Sequence, residues 1–156
     1  GALQYEATHA RPPPPDSDPP GQRRTRVLVV DDEPMVCSVL DHVLSDCEVT
    51  VVSSGRDALD RLFSDERFDV VLCDLNLTDI SGLDVLDTAL KIRPELRQSF
   101  CLMTGGTRNR AQAERVATCG VRVLAKPFEL DLLLSIVEEA AKLARAREKK
   151  AKTATG

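Results

Sequence analysis

The chain alternates between short apolar runs and longer stretches in which apolar residues recur every three or four positions. The first run, 26–30 (RVLVV), is typical of a strand that is buried on both faces. Pro34 follows at a favourable first position for a helix, and helical spacing begins there. The same cycle is repeated along the chain as far as Ala144. The pattern therefore predicts five strands, each followed by a helix.

These elements predict one α/β domain. Ser54 and Asp57 form a capping-box pattern before the second helix, and Gly120 is placed to end the fourth helix, whose apolar stripe is thin. Phe128 and the leucines after it are predicted to be core. Strands that alternate with helices form an open parallel sheet covered on both faces, so we predict a single doubly wound five-stranded parallel sheet with five helices. The predicted strands are 26–30, 48–53, 68–73, 99–103 and 121–125, with helices beginning near 34, 54, 82, 108 and 130.

The two ends of the chain differ from this folded part in composition. Residues 1–24 contain the sequence RPPPPDSDPPGQ and are predicted to form a proline-rich linker or tail. Residues 146–156 are basic, lack large apolar side chains and are expected to fray. The domain is therefore predicted at 25–145. A first residue that is Gly rather than Met is expected for a processed start or for a segment of a longer polypeptide.

Composition excludes several classes of function. A net charge of −4 argues against a protein that coats nucleic acid or an anionic membrane. No apolar run approaches the roughly 20 residues that span a bilayer, and no signal-peptide segment is found, so we expect a cytoplasmic protein. The 5 cysteines are scattered, without a C-x-x-C pair and with only 2 histidines, which predicts free thiols rather than a zinc site or disulfides.

Polar residues stand where the predicted strands end. Strand one runs into Asp31 and Asp32, strand three into Asp74, strand four into Thr104 and strand five into Lys126. In open parallel sheets, ligands bind beyond these carboxyl ends. Crowded carboxylates repel one another unless a hard divalent cation lies between them, which predicts a Mg²⁺ site that Mn²⁺ or Ca²⁺ could also fill. A carboxylate nucleophile near Mg²⁺, an ammonium and a hydroxyl suits phosphoryl transfer.

Four segments carry a resemblance to a known family. VLVVDDEP, DVVLCDLNLTDISGLDVL, LMTGG and AKPFE resemble, in order and separation, the response-regulator receiver family of two-component signalling. The resemblance covers about 26–144 and implies a flavodoxin-like, receiver-type (βα)5 fold. It also implies a phosphorelay domain that receives its phosphoryl group from a histidine kinase or a histidine phosphotransfer domain. Such a domain is not an enzyme with an external substrate, although it catalyses its own phosphorylation and dephosphorylation.

The resemblance assigns the acidic residues. Asp74 is implied to be the phosphoacceptor. Asp32 and Asp74 would bind Mg²⁺ by their side chains, Asn76 by its backbone carbonyl and Asp31 through water. Asp79, by contrast, is predicted to be a solvated loop charge.

The resemblance also assigns the remaining site residues and exposes two departures. Thr104 would be the switch hydroxyl, and Lys126, joined to Pro127 by a cis bond, would pair with the phosphoryl group. Val123 stands where family members commonly carry Tyr or Phe, so the aromatic half of the usual switch is missing. Gly106 leaves no side chain to shield the phosphoryl group from water, and we expect a phosphoryl lifetime that is not unusually long.

Two other functions are compatible with parts of the pattern. Hydrolases of the haloacid dehalogenase type use an Asp nucleophile with a second Asp two residues later, but Asn76 occupies that place. A receiver-fold binding module that is never phosphorylated would have lost the acid pair, the acceptor or the lysine, and all of them are present. The missing aromatic keeps this second alternative open.

The parent protein and the assembly are also matters of hypothesis. A stand-alone regulator and the C-terminal receiver of a hybrid histidine kinase are both compatible with the sequence. The proline-rich linker and the segments LMTGG and KPFELD favour the hybrid kinase. By family resemblance, a homodimer could form through the face made by the fourth helix, the fifth strand and the fifth helix. We expect neither nucleic acid nor membrane contact by this segment.

Overall fold

A computed structural model of the chain describes residues 23–155 and shows the predicted alternation. The predicted linker lies outside the described residues except for its last two positions. The strands are β1 (Arg26–Val30), β2 (Glu48–Val52), β3 (Val70–Asp74), β4 (Phe100–Thr104) and β5 (Arg122–Ala125). The helices are α1 (Pro34–Val43), α2 (Gly55–Leu62), α3 (Gly82–Ile92), α4 (Arg110–Ala117) and α5 (Leu130–Thr155), with a short 3-10 helix at Pro94–Gln98.

The five strands form one parallel sheet in the order β2-β1-β3-β4-β5. The chain leaves β1 toward one edge to form β2 and then returns past β1 to form β3. The carboxyl ends of β1 and β3 therefore border the point where the direction of winding reverses, which is where such sheets bind ligands. This topology confirms the predicted doubly wound sheet.

Two apolar layers hold the helices on the two faces of the sheet. Along β1, Leu28 and Val30 point to the layer covered by α2 and α3, whereas Val27 and Val29 point to the layer covered by α1 and α5. All four side chains are 0% exposed. Burial on both faces explains why the strands appear in the sequence as continuous apolar runs rather than as alternating ones.

The predicted helix boundaries have the expected local causes. The Ser54 hydroxyl accepts a hydrogen bond from the Asp57 backbone N–H at 3.1 Å and caps α2. Gly120 has a φ of +76°, the left-handed conformation that glycine favours, but the C-cap of α4 is Thr118, so Gly120 lies one position beyond the predicted C′ site. No residue of α4 is buried, as its thin apolar stripe predicted. The Lys126–Pro127 peptide bond is cis, as the resemblance implied.

The prediction that the leucines after Phe128 are core is wrong for three of the four that lie between 130 and 134. Leu133 is 1% exposed and packs against the sheet, whereas Leu130, Leu132 and Leu134 are 50%, 46% and 41% exposed. Only one side of a helix can face the sheet, and Leu132 and Leu134 point 100° away from Leu133 around the helix axis. Leu130 is the first residue of the helix.

The expected fraying from 146 onward is not seen, because α5 continues to Thr155 over 26 residues. Ala, Arg, Lys and Glu in this stretch all favour helix. Contacts hold the extension as well: Arg147 donates to Ser99 Oγ at 3.0 Å, and Glu148 accepts from Arg23 at 2.7 Å. The boundaries of the domain at 25 and 145 remain predictions. Among residues 23–155, no helix has the length and apolar character needed to cross a membrane.

Candidate functional site

Three carboxylates meet at the point where the winding reverses. One oxygen from each of Asp31, Asp32 and Asp74 lies within 4.8 Å of the others. Asp31 follows β1 and is 1% exposed, and Asp74 is the last residue of β3 and is 7% exposed. Asp32 is half-buried at the rim. Ending two buried strands with aspartate therefore places two carboxylates inside the protein beside a third that reaches solvent.

Lys126 bridges the two buried carboxylates. Its Nζ atom lies 2.8 Å from Asp31 Oδ2 and 3.1 Å from Asp74 Oδ1. The lysine follows β5, and its backbone N–H donates to the Thr104 carbonyl at 2.8 Å, which fixes where the side chain starts. One ammonium cannot balance three carboxylates, so the cluster keeps an excess of negative charge.

Protonation equilibria in the cluster reflect this crowding. Burial raises the pKa of Asp74 above its usual value, and the charge of Asp31 raises it further against the opposing effect of Lys126. Burial lowers the pKa of Lys126, but hydrogen bonds to Asp31 and Asp74 outweigh that effect and leave the pKa raised. A set of hard oxygen donors with surplus negative charge is suited to a hard divalent cation, so these residues fit the predicted Mg²⁺.

Thr104 and Asn76 lie at the rim, but their side chains contact a neighbouring loop rather than the carboxylates. The Thr104 hydroxyl donates to the Gly106 carbonyl at 2.9 Å and accepts from the Gly106 N–H at 2.9 Å. The Asn76 amide donates to the same carbonyl at 3.4 Å and accepts from Gln112 at 3.1 Å. The structure therefore brings the carboxylates and Lys126 together and directs Thr104 and Asn76 toward the β4–α4 loop.

Gly82 supports the candidate acceptor in a way that the sequence did not reveal. A Cβ atom at Gly82 would collide with the Asp74 carbonyl oxygen and would lie 3.0 Å from the Leu75 Cα. The Gly82 N–H also donates to the Leu75 carbonyl at 2.8 Å. Only glycine lets α3 begin this close to the end of β3. A glycine directly after the Ser81 cap was the available signal, but it did not predict the close approach.

Asp79 is an exposed loop carboxylate, as predicted, and it also has a structural role that the sequence did not reveal. Its two carboxylate oxygens accept from the backbone N–H groups of Gly55 and Arg56 at 2.9 and 3.0 Å, at the start of α2. Slight burial raises the pKa of Asp79, but these backbone donors outweigh it and lower the pKa overall. The contact ties the loop after Asp74 to the neighbouring helix. No sequence signal joined two segments this far apart.

A flavodoxin-like sheet with acidic residues and a lysine at its switch point defines the class of receiver domains. The family model of the response regulator receiver domain matches residues 27–138. The chain belongs to this family of two-component signalling proteins, which decides against the hydrolase of the dehalogenase type. Receiver domains of this family accept phosphoryl groups, bind Mg²⁺ through acidic residues and interact with histidine kinases or phosphotransfer proteins.

Curated relatives are response regulators that are much longer than this chain. The transcriptional regulatory protein ZraR of Escherichia coli (strain K12) is 30% identical over 116 residues, which are 73% of this chain and 26% of the relative. The regulatory protein AtoC of the same organism is 33% identical over 120 residues, which are 76% of this chain and 25% of the relative. The chain thus spans about a quarter of the length of these proteins.

Solved structures show the same fold. A structure described as adenylate cyclase from Rhodopirellula baltica matches with a TM-score of 0.70 and 27% identity, covering 85% of this chain and 98% of that one. The signal receiver domain of a signal transduction histidine kinase from Syntrophus aciditrophicus matches with a TM-score of 0.66 and 26% identity. That match covers 76% of this chain and 90% of the other.

Proposed function

We propose that Asp74 is the phosphoacceptor of this receiver domain and that Mg²⁺ binds beside it. The observation that carries the proposal is the 3.1 Å contact between Lys126 Nζ and Asp74 Oδ1, within a cluster of three carboxylates at the switch point. Asp32 and Asp74 would bind Mg²⁺ by their side chains, Asn76 by its carbonyl and Asp31 through water. Mn²⁺ or Ca²⁺ could occupy the same set of oxygens.

The side chains then have distinct parts in the transfer. A carboxylate oxygen of Asp74 attacks phosphorus in line, forming a P–O bond as the P–N bond of a phosphohistidine breaks and its electron pair returns to the imidazole. Lys126 moves its ammonium from Asp74 to an oxygen of the incoming group. Thr104 turns its hydroxyl from Gly106 to another of those oxygens. When bound, Mg²⁺ would neutralise charge on the phosphoryl oxygens.

Acetyl phosphate provides the direct test. We expect the intact mass of the protein to increase by one phosphoryl group in the presence of Mg²⁺ and to stay unchanged when Mg²⁺ is chelated. Asp74→Asn should abolish the gain, because an amide is not a nucleophile for phosphorus. Asp87→Asn is the matched control, because that carboxylate lies on α3 with its side chain 61% exposed.

The possible results separate the two remaining hypotheses. A gain that depends on both Mg²⁺ and Asp74 supports the proposed chemistry. No gain in the wild type, together with no binding of Mg²⁺ in a titration, would favour the binding module that is never phosphorylated. Once labelled, the protein should lose its phosphoryl group without an unusual delay, because Gly106 offers no shielding side chain. A half-life of many hours would contradict that expectation.

We further propose that the chain acts within a hybrid histidine kinase in the cytoplasm. The likeness to the receiver domain of a histidine kinase supports this parent, as does the proline-rich composition of residues 11–22. The curated relatives include the transcriptional regulatory protein ZraR and the regulatory protein AtoC, so a regulator is the alternative parent. Transfer of label from a phosphorylated histidine phosphotransfer domain to Asp74 would identify the phosphodonor class. The phosphorylated chain itself should turn over no external substrate.

Pairing of two copies through α4, β5 and α5 is the proposed assembly. Val123, Leu130 and Leu134 lie on this part of the molecule and are 38%, 50% and 41% exposed, so apolar area is available for a partner. Light scattering should show a larger mass after phosphorylation, and Leu134→Glu should prevent the increase. A mass that stays monomeric in the phosphorylated wild type would contradict the proposed dimer.

A further inference from the structure

A chain of side-chain hydrogen bonds leads from the candidate site to α4. The Gly106 carbonyl accepts from the Thr104 hydroxyl at 2.9 Å and from Asn76 Nδ2 at 3.4 Å. The other end of the Asn76 amide, Oδ1, accepts from Gln112 Nε2 at 3.1 Å. Gln112 belongs to the first turn of α4. The switch hydroxyl and this helix are therefore joined through two amide side chains.

Gln112 is fixed at both ends of its own amide. Its Oε1 atom accepts from the Arg108 backbone N–H at 2.7 Å, which leaves Nε2 directed at Asn76. The Gln112 backbone N–H donates to the Asn109 side chain at 2.9 Å, the cap of α4. A displacement of Asn76 would therefore move Gln112 together with the first turn of α4, to which Gln112 is bonded.

The other contacts of α4 with the rest of the protein are weak, so the hydrogen bond between Gln112 and Asn76 has a large share in holding the helix in place. No residue of α4 is buried, and Val116 is only partly buried against the core. Arg115 pairs with Asp84 at 3.4 Å and Asp87 at 3.0 Å, but all three side chains are about half exposed. Exposed ion pairs of this kind contribute little because water and salt screen them. An element that is loosely packed responds to the change of a single contact.

We propose that Gln112 is a positioning residue that couples the state of the acceptor site to α4 through the side chain of Asn76. The inference rests on the proposed function, because the coupled event is the turning of Thr104 toward a phosphoryl oxygen. That turn removes one of the two side-chain donors from the Gly106 carbonyl and shifts the hydrogen bonds of Asn76. The side chain of Val123 cannot take part in a hydrogen bond, so Gln112 supplies a polar connection in a chain that lacks the usual aromatic residue.

Amide hydrogen exchange, read by mass spectrometry, can test the coupling. The probes are Mg²⁺ alone and Mg²⁺ with beryllofluoride, a mimic of the phosphoryl group. Gln112→Met removes the polar groups and keeps both length and helix propensity. Glu114→Met is the matched control, because Glu114 is exposed on the same helix. Peptides that cover 75–82 report on the acceptor loop, and peptides that cover 108–119 report on α4.

Two results are expected. Without any probe, α4 should exchange about five-fold faster in Gln112→Met than in the wild type or in Glu114→Met, the factor that one hydrogen bond of typical strength gives. With Mg²⁺ and beryllofluoride, the wild type should change at both 75–82 and 108–119, whereas Gln112→Met should change at 75–82 alone. A role limited to holding the helix would alter the first result and not the second. Asn76→Ala combined with Gln112→Met should have no additional effect on α4.

The outcomes that overturn the inference differ from those that overturn the proposed function. An unchanged response of α4 to beryllofluoride in Gln112→Met would show that the coupling runs elsewhere. If the wild type shows no response to the probes in either peptide, the proposed acceptor chemistry fails. In that case the exchange of α4 without any probe tests the hydrogen bond between Gln112 and Asn76. Equal rates in the wild type and in Gln112→Met would overturn the inference, and faster exchange in the variant would support it.

Discussion

Lys126 is the residue whose charge makes the metal-free cluster tolerable. It lies between Asp31, whose side chain is 0% exposed, and Asp74, whose side chain is 10% exposed. A buried carboxylate is costly unless a partner of opposite charge accompanies it. The same ammonium must leave Asp74 to reach a phosphoryl oxygen, so its role in stability and its proposed role in transfer depend on the same two contacts.

Replacing Lys126 with Met should destabilise the metal-free protein by about 3 kcal/mol, because two buried carboxylates lose their cation. Mg²⁺ should recover more stability in this variant than in the wild type, where ten times the dissociation constant gives about 1.4 kcal/mol. Urea denaturation with Mg²⁺ and with a chelator measures both quantities. Lys126→Arg is the control that keeps the charge. Equal stabilisation of wild type and Lys126→Met by Mg²⁺ would show that the ammonium and the metal do not share the site.

Gly82 determines how closely α3 approaches Asp74, the proposed acceptor. We expect Gly82→Ala to destabilise the protein by about 1–3 kcal/mol, since its Cβ atom would meet the backbone of Asp74 and Leu75 rather than a flexible side chain. The displaced backbone should also slow phosphorylation by acetyl phosphate. Gly105→Ala is a useful comparison, because nothing lies within 4 Å of a Cβ atom there. Similar stability for both variants would argue that the loop after β3 can yield.

At the scale of elements, the start of α2 is stabilised from outside its own sequence. Asp79 accepts two backbone N–H groups of α2, and its pKa is lowered as a result. A carboxyl whose folded pKa is below its unfolded value, about 3.9, contributes stability that is fully present above that value. The contribution is lost as the pH falls through the folded pKa.

Asp79→Asn should therefore be less stable than the wild type at pH 7, by less than about 1 kcal/mol because the group is exposed. The difference should shrink as the pH falls below about 3.9, where the wild-type carboxyl loses its charge. Thermal unfolding of both proteins between pH 3 and 7 measures the difference. The other carboxyls titrate alike in both proteins, so their effects cancel in the difference between wild type and Asp79→Asn. A difference that stays constant over this range would mean that the negative charge contributes nothing.

The elements were predictable from the sequence because each depends on a local signal. Runs of buried valine and leucine marked the strands, and Pro34 and Ser54 marked the starts of α1 and α2. The cluster of carboxylates followed from the topology, since parallel strands bring their carboxyl ends to one edge. The orientations of Thr104 and Asn76 were not predictable, because they depend on how a neighbouring loop folds against the site.

The exposed leucines of α5 show a second limit. Helical spacing identified an apolar face, but three adjacent leucines at 132–134 cannot all point to the sheet. Which of them is buried depends on how the helix is rotated about its axis as it packs on the sheet. No local sequence signal determines that rotation. Asp79 and Gly82 were missed for a related reason, because their partners belong to a different element or to the backbone of one.

For the whole molecule, the last turns of α5 pack against the amino ends of the strands, at the opposite end of the sheet from the acidic site. Arg147 donates to the Ser99 hydroxyl and to Gln98 Oε1, both at 3.0 Å, and to the Glu95 carbonyl at 3.2 Å. Glu148 pairs with Arg23 at 2.7 Å, and Arg23 in turn pairs with Asp69 at 2.8 Å. Asp69 is 5% exposed and precedes β3. The end of α5 is therefore bonded to Ser99 before β4 and, through Arg23, to Asp69 before β3.

Truncating Arg147 to Ala should lower the free energy of unfolding by about 1–2 kcal/mol, because the Ser99 hydroxyl, in a residue that is 1% exposed, loses a charged donor. Mg²⁺ affinity should stay unchanged, since the acidic cluster lies at the carboxyl ends of the strands, far from the contacts of Arg147. Urea denaturation and a Mg²⁺ titration of the same variant measure the two effects. Lys149→Ala removes an exposed charge from the same helix and should leave both values at the wild-type level. Loss of Mg²⁺ affinity in Arg147→Ala alone would instead show that the extension communicates with the site through the central strands.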